Sequence, residues 1–405
     1  MRAIAFDRSI PRIALTQLCQ RFWDGAVFSK ISPTRLHDLP EPELPGPRGI
    51  RVRNRVCGIC ASDLHLLFVD IDPRVHPAAL PGSDRIWLGH EVCSEVTEVG
   101  PATEGLRPGD RVLMKSRFLG PTCDSQDLSP RCRHCEAGNY CLCENRALGL
   151  GQPGVGGGWG DGYTCHESEV WKAPDGLGDD QVALIEPLAC GVRAVLRRRP
   201  RAGERALVIG CGMIGLGTIA ALRAIEPDAT VYAAARYPHQ QERARRYGAV
   251  IVDGGLFDAA EALTGARHYR GPFGNETLLG GFDVIYDCVG NDHTIGQALR
   301  LARSGGAVVL VGVHLKPVKV DLTPVWHEEV DLIGEIAHGA EDWNGQRIST
   351  FDLTADLIAQ GRLDTSDLIT HRFPLDQWPD AVATAVDKRS GAIRVVFDYA
   401  EAGGF

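Results

Sequence analysis

The stretch "ALVIGCGMIGLGTIAAL", residues 206–222, decides the fold of one part of this 405-residue chain. It opens with a short apolar run that ends at Gly210, and it continues without a charged residue into helix-forming residues. Gly210, Gly212 and Gly215 form the pattern G-x-G-x-x-G between the two parts. Such glycines allow a tight turn, a close approach of the backbone to a pyrophosphate, and close packing of a helix on a strand. Because the strand–turn–helix context is complete, the stretch predicts a dinucleotide-binding unit.

The residues that follow alternate between strand and helix patterns. "TVYAAA" (230–235) and "FDVIYDCVG" (282–290) predict further strands, and "QQERARRYG" (240–248) predicts an exposed helix that ends at a glycine. Such alternation is typical of an α/β fold with a doubly wound parallel sheet. We expect the backbone N–H groups of Met213 and Ile214 to face the phosphates, because a helix N-terminus carries free donors and positive potential.

The end of the second strand indicates which nicotinamide cofactor is bound. Units of this kind that prefer NAD carry an acidic residue about 20 residues past the glycine turn, where it binds the ribose 2′-hydroxyl. Here Ala235 stands at that place, and no acidic residue occurs between Asp228 and Glu242. Arg236 follows directly, and a guanidinium binds a phosphate through charge-assisted hydrogen bonds. The sequence therefore predicts NADP in preference to NAD; the alternative is that Arg236 stacks on the adenine, which would suit either cofactor.

The N-terminal part of the chain has a different composition. It is rich in glycine and proline, with short apolar runs such as "IRVRNRVCGI" and "VCSEVTEVG". This pattern predicts short strands and loops, and so a β-rich domain. Near the C-terminus, "TFDLTADLIAQG" predicts a helix and "AIRVVFDY" a last strand, and we expect that segment to return to the first domain. The expected segments are residues 1–190, 191–338 and 339–405.

Composition and charge limit the class of function. Hydrophobic residues make up 44% and charged residues 23%, as in ordinary globular proteins. The net charge of -9 argues against a general nucleic-acid or anionic-membrane binder. The N-terminal stretch is broken by charges and by Pro11, unlike a secretion signal. The charge-free stretch 206–222 is short for a membrane span, and a buried strand that turns into a helix explains it better. We therefore expect a cytoplasmic protein with reduced thiols.

Cysteines are clustered in one loop. Cys123, Cys132, Cys135 and Cys143 are separated by eight, two and seven residues. Four thiolates enclose Zn²⁺ tetrahedrally in a closed structural site, and C-x-x-C presents two sulfurs to one ion. Cys141 is an alternative to Cys143 as the fourth ligand. A set of free thiols is the competing explanation, but five cysteines within twenty-one residues argue against it.

A second metal site is indicated by "GICASDLH" and "GHE". Cys60 and His90 in these stretches are donor types of a catalytic zinc, which has three protein ligands and one open position. The third donor is Glu91 or Glu186. Each of these residues taken alone is also explained as a buried thiol, a core histidine or a solvated glutamate, and no spacing rule joins them.

Taken in order, "GICASDLH", "GHEVCSEVTEVG", the cysteine cluster, "EPLACG" and "VIGCGMIGLG" resemble the zinc-dependent medium-chain dehydrogenase/reductase superfamily. The similarity is to the polyol, glucose and threonine dehydrogenase branches more than to liver-type alcohol dehydrogenases, and it covers nearly the whole chain. It implies a GroES-like β-rich catalytic domain and a Rossmann domain whose doubly wound parallel sheet binds the cofactor. It also implies cofactor contacts at Val289 and Gly290.

The resemblance implies a role for each residue of the second metal site. Cys60 and His90 match zinc ligands, and Glu91 matches a glutamate that binds zinc or exchanges with water. Glu186 matches the acidic ligand of the polyol and glucose branch, where liver-type enzymes have cysteine.

Three residues of the same stretch match the proton-transfer machinery of such enzymes. Ser62 matches the hydroxyl that takes the alcohol proton, and His65 the far end of that relay. Asp63 resembles the carboxylate that orients the ligand histidine, a common arrangement at metal sites.

Two features depart from the family pattern. The structural-zinc motif usually has two residues between its first and second cysteines, where this chain has "DSQDLSPR". These residues must loop out, or Cys123 is not a ligand. The stretches "CQRFWDGAVFSKISPTRLHDLPEP" and "DIDPRVHPAALPGSDRIW" are also long and unusual, which indicates an untypical substrate because loops near a metal often shape the pocket.

Together these observations predict a zinc-dependent, NAD(P)-linked oxidoreductase that oxidises a secondary alcohol, such as a polyol, sugar or cyclitol, or reduces the ketone. The alternatives are a biosynthetic aldehyde or ketone reductase and a catalytically silent nucleotide-sensing protein on the same fold. The expected partner is a small-molecule substrate, with no nucleic acid and no membrane. The family implies a homodimer or homotetramer.

Overall fold

The computed structural model of the protein describes residues 1–75, 83–115, 120–146 and 154–399. Within it the chain divides into two compact units. The first unit combines Met1–Glu186 with Ser366–Phe405, and the second is Pro187–Thr365. The unusual stretch before His90 is described only in part, since residues 76–82 lie outside these ranges.

Most strands are short, and only β3, β5 and β15 of the described strands have more than six residues. In chain order they are β1 (Arg2–Asp7), β2 (Thr34–Asp38), β3 (Gly49–Gly58), β4 (Arg85–Trp87), β5 (Val92–Val99), β6 (Arg111–Met114), β7 (Gly162–His166), β8 (Val170–Lys172), β9 (Arg205–Ile209), β10 (Thr230–Ala234), β11 (Val250–Ile251), β12 (Arg267–Arg270), β13 (Glu276–Leu279), β14 (Phe282–Asp287), β15 (Ala302–Leu310), β16 (Asp331–Gly334), β17 (Ala340–Trp343), β18 (Gln346–Ser349), β19 (Ile369–Phe373) and β20 (Arg394–Asp398).

The α-helices are concentrated in the second unit. In chain order they are α1 (Ile10–Cys19), α2 (Ala61–Leu67), α3 (Arg133–Glu136), α4 (Asp179–Arg197), α5 (Met213–Ile225), α6 (Pro238–Arg246), α7 (Leu256–Thr264), α8 (Asp292–Leu301), α9 (Thr323–His327), α10 (Thr350–Ala359) and α11 (Trp378–Val386).

The first unit is β-rich, as its composition predicts. Its main sheet has the strand order β19-β20-β3-β5-β6-β8, and β7 also pairs with β3. All of these pairs are antiparallel except β19 with β20. A smaller antiparallel sheet has the order β2-β1-β4. Large side chains such as Trp159, Tyr163 and Phe397 fill the core and are completely buried.

The second unit contains the predicted parallel sheet. Its strand order is β11-β10-β9-β14-β15-β16, and every pairing in it is parallel. Counted along the chain from β9, this is the order 3-2-1-4-5-6 of doubly wound dinucleotide-binding domains. Apolar residues of the central strands, including Leu207, Ile285 and Val308, are buried. The charge-free stretch 206–222 lies in β9 and α5, as expected.

The domain boundaries differ from those expected from composition. Residues 339–365, which we expected to return to the first domain, belong to the second unit, and the return begins at Ser366. The reason lies in side-chain contacts that composition does not show. Arg193 on α4 forms a buried ion pair with Glu341 on β17, and the Tyr247 hydroxyl donates to the carbonyl of Asp364 at 3.0 Å.

No helix in the described ranges combines the length and the apolar character that a membrane crossing requires.

Candidate active site

Three potential metal donors meet in the first unit. Cys60 directly precedes α2, and His90 and Glu91 directly precede β5. One donor atom from each residue lies within 4.8 Å of the other two. Zinc bonds of about 2.0–2.3 Å in a tetrahedron place the donors roughly 3.5 Å apart, so these separations admit the ion with small adjustments. The sulfur, nitrogen and carboxylate set is the one that zinc prefers, and three donors leave a fourth position for substrate.

Asp63 connects the two segments that carry Cys60 and His90. Its Oδ2 accepts a hydrogen bond from the backbone N–H of Cys60 at 3.2 Å, and its Oδ1 accepts one from the N–H of Gly89 at 3.0 Å. The same Oδ1 lies 3.7 Å from Nδ1 of His90. The carboxylate, which is buried, therefore fixes both backbones and faces the ring of the histidine. This geometry matches the orienting role predicted for it.

Glu91 is held by a residue that sequence analysis missed. Arg394 on β20 is buried; its Nη2 donates to Oε1 of Glu91 at 2.9 Å, and its Nη1 lies 2.9 Å from Oε2. Nη1 also donates to the carbonyl of Ile59. Gly58 allows this approach, since a Cβ there would lie 2.3 Å from Oε2 of Glu91. The signal in the sequence was an arginine that directly precedes the apolar residues of a strand, since a buried arginine requires a carboxylate partner.

The protonation of the three donors reflects their burial and mutual charges. Burial raises the pKa of Cys60, and the charge of Glu91 adds to that effect. Burial also raises the pKa of Glu91, although Arg394 opposes it. For His90, burial favours the neutral ring, but the charges of Asp63 and Cys60 outweigh it and raise its pKa well above the ordinary value. A cation placed among these groups would displace their protons, because metal ligands bind deprotonated.

Glu186, the other acidic candidate, lies on α4 and is buried. Among the described residues it is not part of the group formed by Cys60, His90 and Glu91. Its charge nevertheless raises the pKa of Glu91, so the two carboxylates share one neighbourhood.

Ser62 and His65 follow Cys60 on α2. Their spacing of three residues makes them neighbours on the helix surface. The side chain of His65 is 29% exposed, so its ring has access to solvent. Its Nδ1 lies 3.1 Å from Oδ2 of Asp70, a second residue that sequence analysis did not single out.

The predicted cysteine cluster also assembles. The sulfurs of Cys123, Cys132, Cys135 and Cys143 all lie within 4.8 Å of one another, and Cys141 is not part of this group. Although burial opposes ionisation, N–H donors of Cys135 and Glu144 lower the pKa of Cys132 to about 6. Four sulfurs without an open position form the donor set of a structural zinc site.

The insertion between the first two cysteines loops out, as the sequence requires if Cys123 is a ligand. It forms a short 3₁₀ turn at Asp124–Gln126, followed by Asp127 in the left-handed conformation with φ 50°. Arg48 donates to Asp127 at 2.7 Å and also pairs with Glu167. Through Arg48, the insertion is attached to the β-rich unit.

In the second unit, the glycine turn lies between β9 and α5. Gly210 has φ 86°, and a Cβ on Gly215 would lie 1.8 Å from the carbonyl oxygen of Gly210. Gly212 is the N-cap of α5 and has no side chain that could cap the first N–H groups of the helix, which belong to Met213 and Ile214. This arrangement leaves backbone donors for a pyrophosphate.

Two further segments of the predicted cofactor site flank this turn. Arg236 is exposed two residues after the end of β10, and its guanidinium lies 5.7 Å from the ring of Tyr237. After β14, the N–H groups of Val289 and Gly290 donate to Oδ1 of Asp287 at 3.0 and 3.3 Å. Asp287 is completely buried and also accepts from Thr294, so it fixes the turn that we expect to contact the cofactor.

Comparison with known proteins gives a consistent result. Residues 46–175 match the alcohol dehydrogenase GroES-like domain, and residues 214–350 match the zinc-binding dehydrogenase family. L-idonate 5-dehydrogenase of Vitis vinifera is 30% identical over 92% of this chain and 93% of its own length. The chain belongs to the zinc-dependent medium-chain alcohol dehydrogenase superfamily.

Other similar proteins agree with this membership. (R,R)-butanediol dehydrogenase of Bacillus subtilis is 28% identical to this chain, and the similarity covers 89% of this chain and 95% of the relative. A zinc-binding dehydrogenase from Sinorhizobium meliloti 1021, whose crystal structure was solved with NADP bound, is 28% identical to this chain. The two structures superpose with a TM-score of 0.65 over 90% of this chain and 95% of the other. The predicted fold class, the polyol branch and the chemistry of secondary alcohol oxidation are confirmed at the level of the family.

Proposed function

We propose that the dehydrogenase converts a secondary alcohol with several oxygen groups, such as a polyol, sugar or cyclitol, to the ketone, or catalyses the reverse reaction, with a catalytic zinc and NADP. The observation that carries this proposal is the group formed by Cys60, His90 and Glu91, which stands beside the helix that carries Ser62 and His65. This combination supplies both a Lewis-acid site and a path for a proton.

The residues of this chain have distinct roles in the proposed reaction. Ser62 accepts the proton of the substrate hydroxyl and passes it to His65, from which it reaches solvent. Asp63 keeps His90 in the orientation needed for metal binding. When bound, zinc lowers the pKa of the alcohol and stabilises its negative charge, and NADP accepts the hydride.

The substrate class rests on the names of the relatives and on the acidic ligand set. L-idonate and butanediol, which name the substrates of two relatives, both carry neighbouring oxygen functions. The direct experiment is a screen of polyols, sugars and simple secondary alcohols with NAD and NADP, before and after chelation. We expect turnover of oxygen-rich substrates that chelation abolishes. Full turnover of the chelated protein would contradict the zinc mechanism.

The cofactor preference is tested at Arg236. Replacing it with alanine is expected to lower kcat/KM for NADP by about tenfold to a hundredfold, since one charged hydrogen-bonded contact contributes roughly 1.5–3 kcal/mol. The value for NAD should not change, because NAD lacks the 2′-phosphate. Steady-state kinetics with both cofactors measures the effect.

The control for that experiment is Arg245→Ala, which removes an exposed arginine of α6 beyond the strand end. This control should leave kcat/KM unchanged with NADP and with NAD. Equal losses with NADP and NAD for Arg236→Ala, or a preference of the natural enzyme for NAD, would contradict the assignment.

Substitutions of the two acidic candidates for the third zinc ligand are expected to weaken zinc binding to different extents. Glu91 is the acidic residue that groups with Cys60 and His90, but Arg394 contacts both of its carboxylate oxygens. We therefore propose that Glu186 is the third ligand once zinc is bound, and that Glu91 supports it or exchanges with it. Glu91→Gln should weaken zinc binding by about tenfold to a hundredfold, as is typical of residues that support a ligand. Glu186→Gln should weaken it more. Competition with a fluorescent chelator measures both affinities, and the reverse order would assign the ligand role to Glu91.

We further propose that the enzyme forms a homodimer or homotetramer, as the family implies, which light scattering would test. A purely nucleotide-sensing role has less support, because such a role does not require the metal donors and the relay residues that this chain retains together.

A further inference from the structure

The turn after α2 places a carboxylate against His65. The chain reverses after Leu67, so that the N–H of Asp70 donates to the carbonyl of His65 at 2.8 Å. Val69 lies at the centre of this turn with φ 53°. A β-branched residue rarely adopts a left-handed conformation, so the surrounding contacts must hold it there.

Those contacts include helix α1, whose last residue, Cys19, begins the unusual N-terminal stretch. Gln17 of α1 donates to the carbonyl of Val69 at 3.2 Å, and Gln20, just after the helix, donates to the carbonyl of Phe68 at 3.2 Å. Thr16 of the same helix is buried and donates to the carbonyl of Ile31. The helix is therefore attached to the body of the unit on one side and to the turn on the other.

The pair of His65 and Asp70 has a chemical consequence. An ionised carboxylate only accepts hydrogen bonds, so Nδ1 of His65, 3.1 Å from Oδ2 of Asp70, carries the hydrogen. The lone pair of the neutral ring is then on Nε2. Only this tautomer accepts a proton at Nε2 from a donor such as Ser62.

We propose that Asp70 is a positioning residue that fixes His65 as an Nε2 acceptor, and that α1 acts through Gln17 and Gln20 to hold the turn that carries Asp70. This proposal rests on the proton path given under the proposed function. The proton that leaves the alcohol passes through the Ser62 hydroxyl to Nε2, and solvent then removes it.

The test compares the holoenzyme with Asp70→Asn, Asp70→Glu and His65→Gln. Asparagine keeps the size of the side chain but also offers an N–H₂ group, so it no longer enforces one tautomer. We expect Asp70→Asn to lower kcat by about tenfold to a hundredfold, a part of the usual effect of general base catalysis, with little change in KM. Zinc content and melting temperature should not change. Asp70→Glu should recover most of the rate.

A second readout separates positioning from general structural damage. Imidazole added to the assay should raise kcat of Asp70→Asn and of a His65→Ala variant, because a free base replaces the missing acceptor, and it should have little effect on the natural enzyme. The control is Asp72→Asn, which removes a carboxylate paired locally with Arg74, and we expect natural kinetics from it.

The contribution of α1 is tested with Gln17→Leu combined with Gln20→Leu, and with the exposed Leu18→Ala as control. The double variant should lose rate in the same way and respond to imidazole, and the control should not. A slow His65→Gln enzyme together with a natural rate for Asp70→Asn would overturn the positioning proposal alone. A natural rate for His65→Gln would instead overturn the proton path on which the proposal rests.

Discussion

Replacing Cys60 with serine is expected to lower kcat/KM for alcohol oxidation by about 10³-fold or more. The change removes a donor from the group with His90 and Glu91, and a Lewis-acid metal contributes several kcal/mol to stabilising the transition state. NADP affinity should not change, because the glycine turn at Gly210–Gly215 belongs to the second unit and Cys60 to the first. Steady-state kinetics and a fluorescence titration with NADPH measure the two effects.

The matched control is Cys19→Ser, which alters a partly buried cysteine of α1 that is outside both metal-donor groups. It should retain natural kinetics and zinc content. If Cys60→Ser also loses NADP binding or fails to fold, the loss of rate no longer reports on the metal. His90→Gln then provides the independent test, and it should show the same loss of rate and of one zinc per chain.

Replacing Cys132 with serine is expected to have the largest effect on stability. The four sulfurs would hold a structural zinc, and in small zinc-dependent domains such an ion contributes on the order of 10 kcal/mol to folding. Even a loss of several kcal/mol shifts the melting temperature by roughly 10 °C for a unit of this size, because each kcal/mol corresponds to about 2–4 °C. Elemental analysis should find one zinc per chain in place of two.

The same loop offers a control in Cys141, which is buried but does not belong to the group of sulfurs. Cys141→Ser should keep both zinc ions and the natural melting temperature. Cys123→Ser should behave like Cys132→Ser if the insertion between them loops out as the structure shows. A stable Cys132→Ser protein with unchanged zinc content would contradict the structural site.

The sequence predicted the features whose residues lie close together along the chain. The glycine turn at Gly210–Gly215 and the cysteine cluster are local patterns in which the spacing itself reports the geometry. The pairing of Cys60 with His90 depended on the resemblance to a family, because thirty residues separate them and no spacing rule applies. The structure brings them together through Asp63, which accepts hydrogen bonds from the backbone N–H of Cys60 and from that of Gly89, the residue before His90.

Other features depend on contacts that the sequence does not reveal. Arg394 neutralises Glu91 from 303 residues away, and nothing local to either residue indicates the other. Likewise, the segment after residue 338 has the composition of either unit, and the ion pair between Arg193 and Glu341 assigns it to the second. The unusual stretch that begins at Cys19 was recognised, but the sequence does not show that Gln20 in it contacts the turn before Asp70.

The central claim is that the metal held by Cys60 and His90 enables NADP-linked oxidation of a secondary alcohol. Turnover measured against zinc content tests it most directly, with the best substrate of the screen and a chelated enzyme to which zinc is returned in steps. We predict that the rate rises from near zero in proportion to the refilling of one zinc per chain, while NADP affinity stays constant and Cys60→Ser shows no recovery. A metal-free protein that turns over at the full rate would contradict the account.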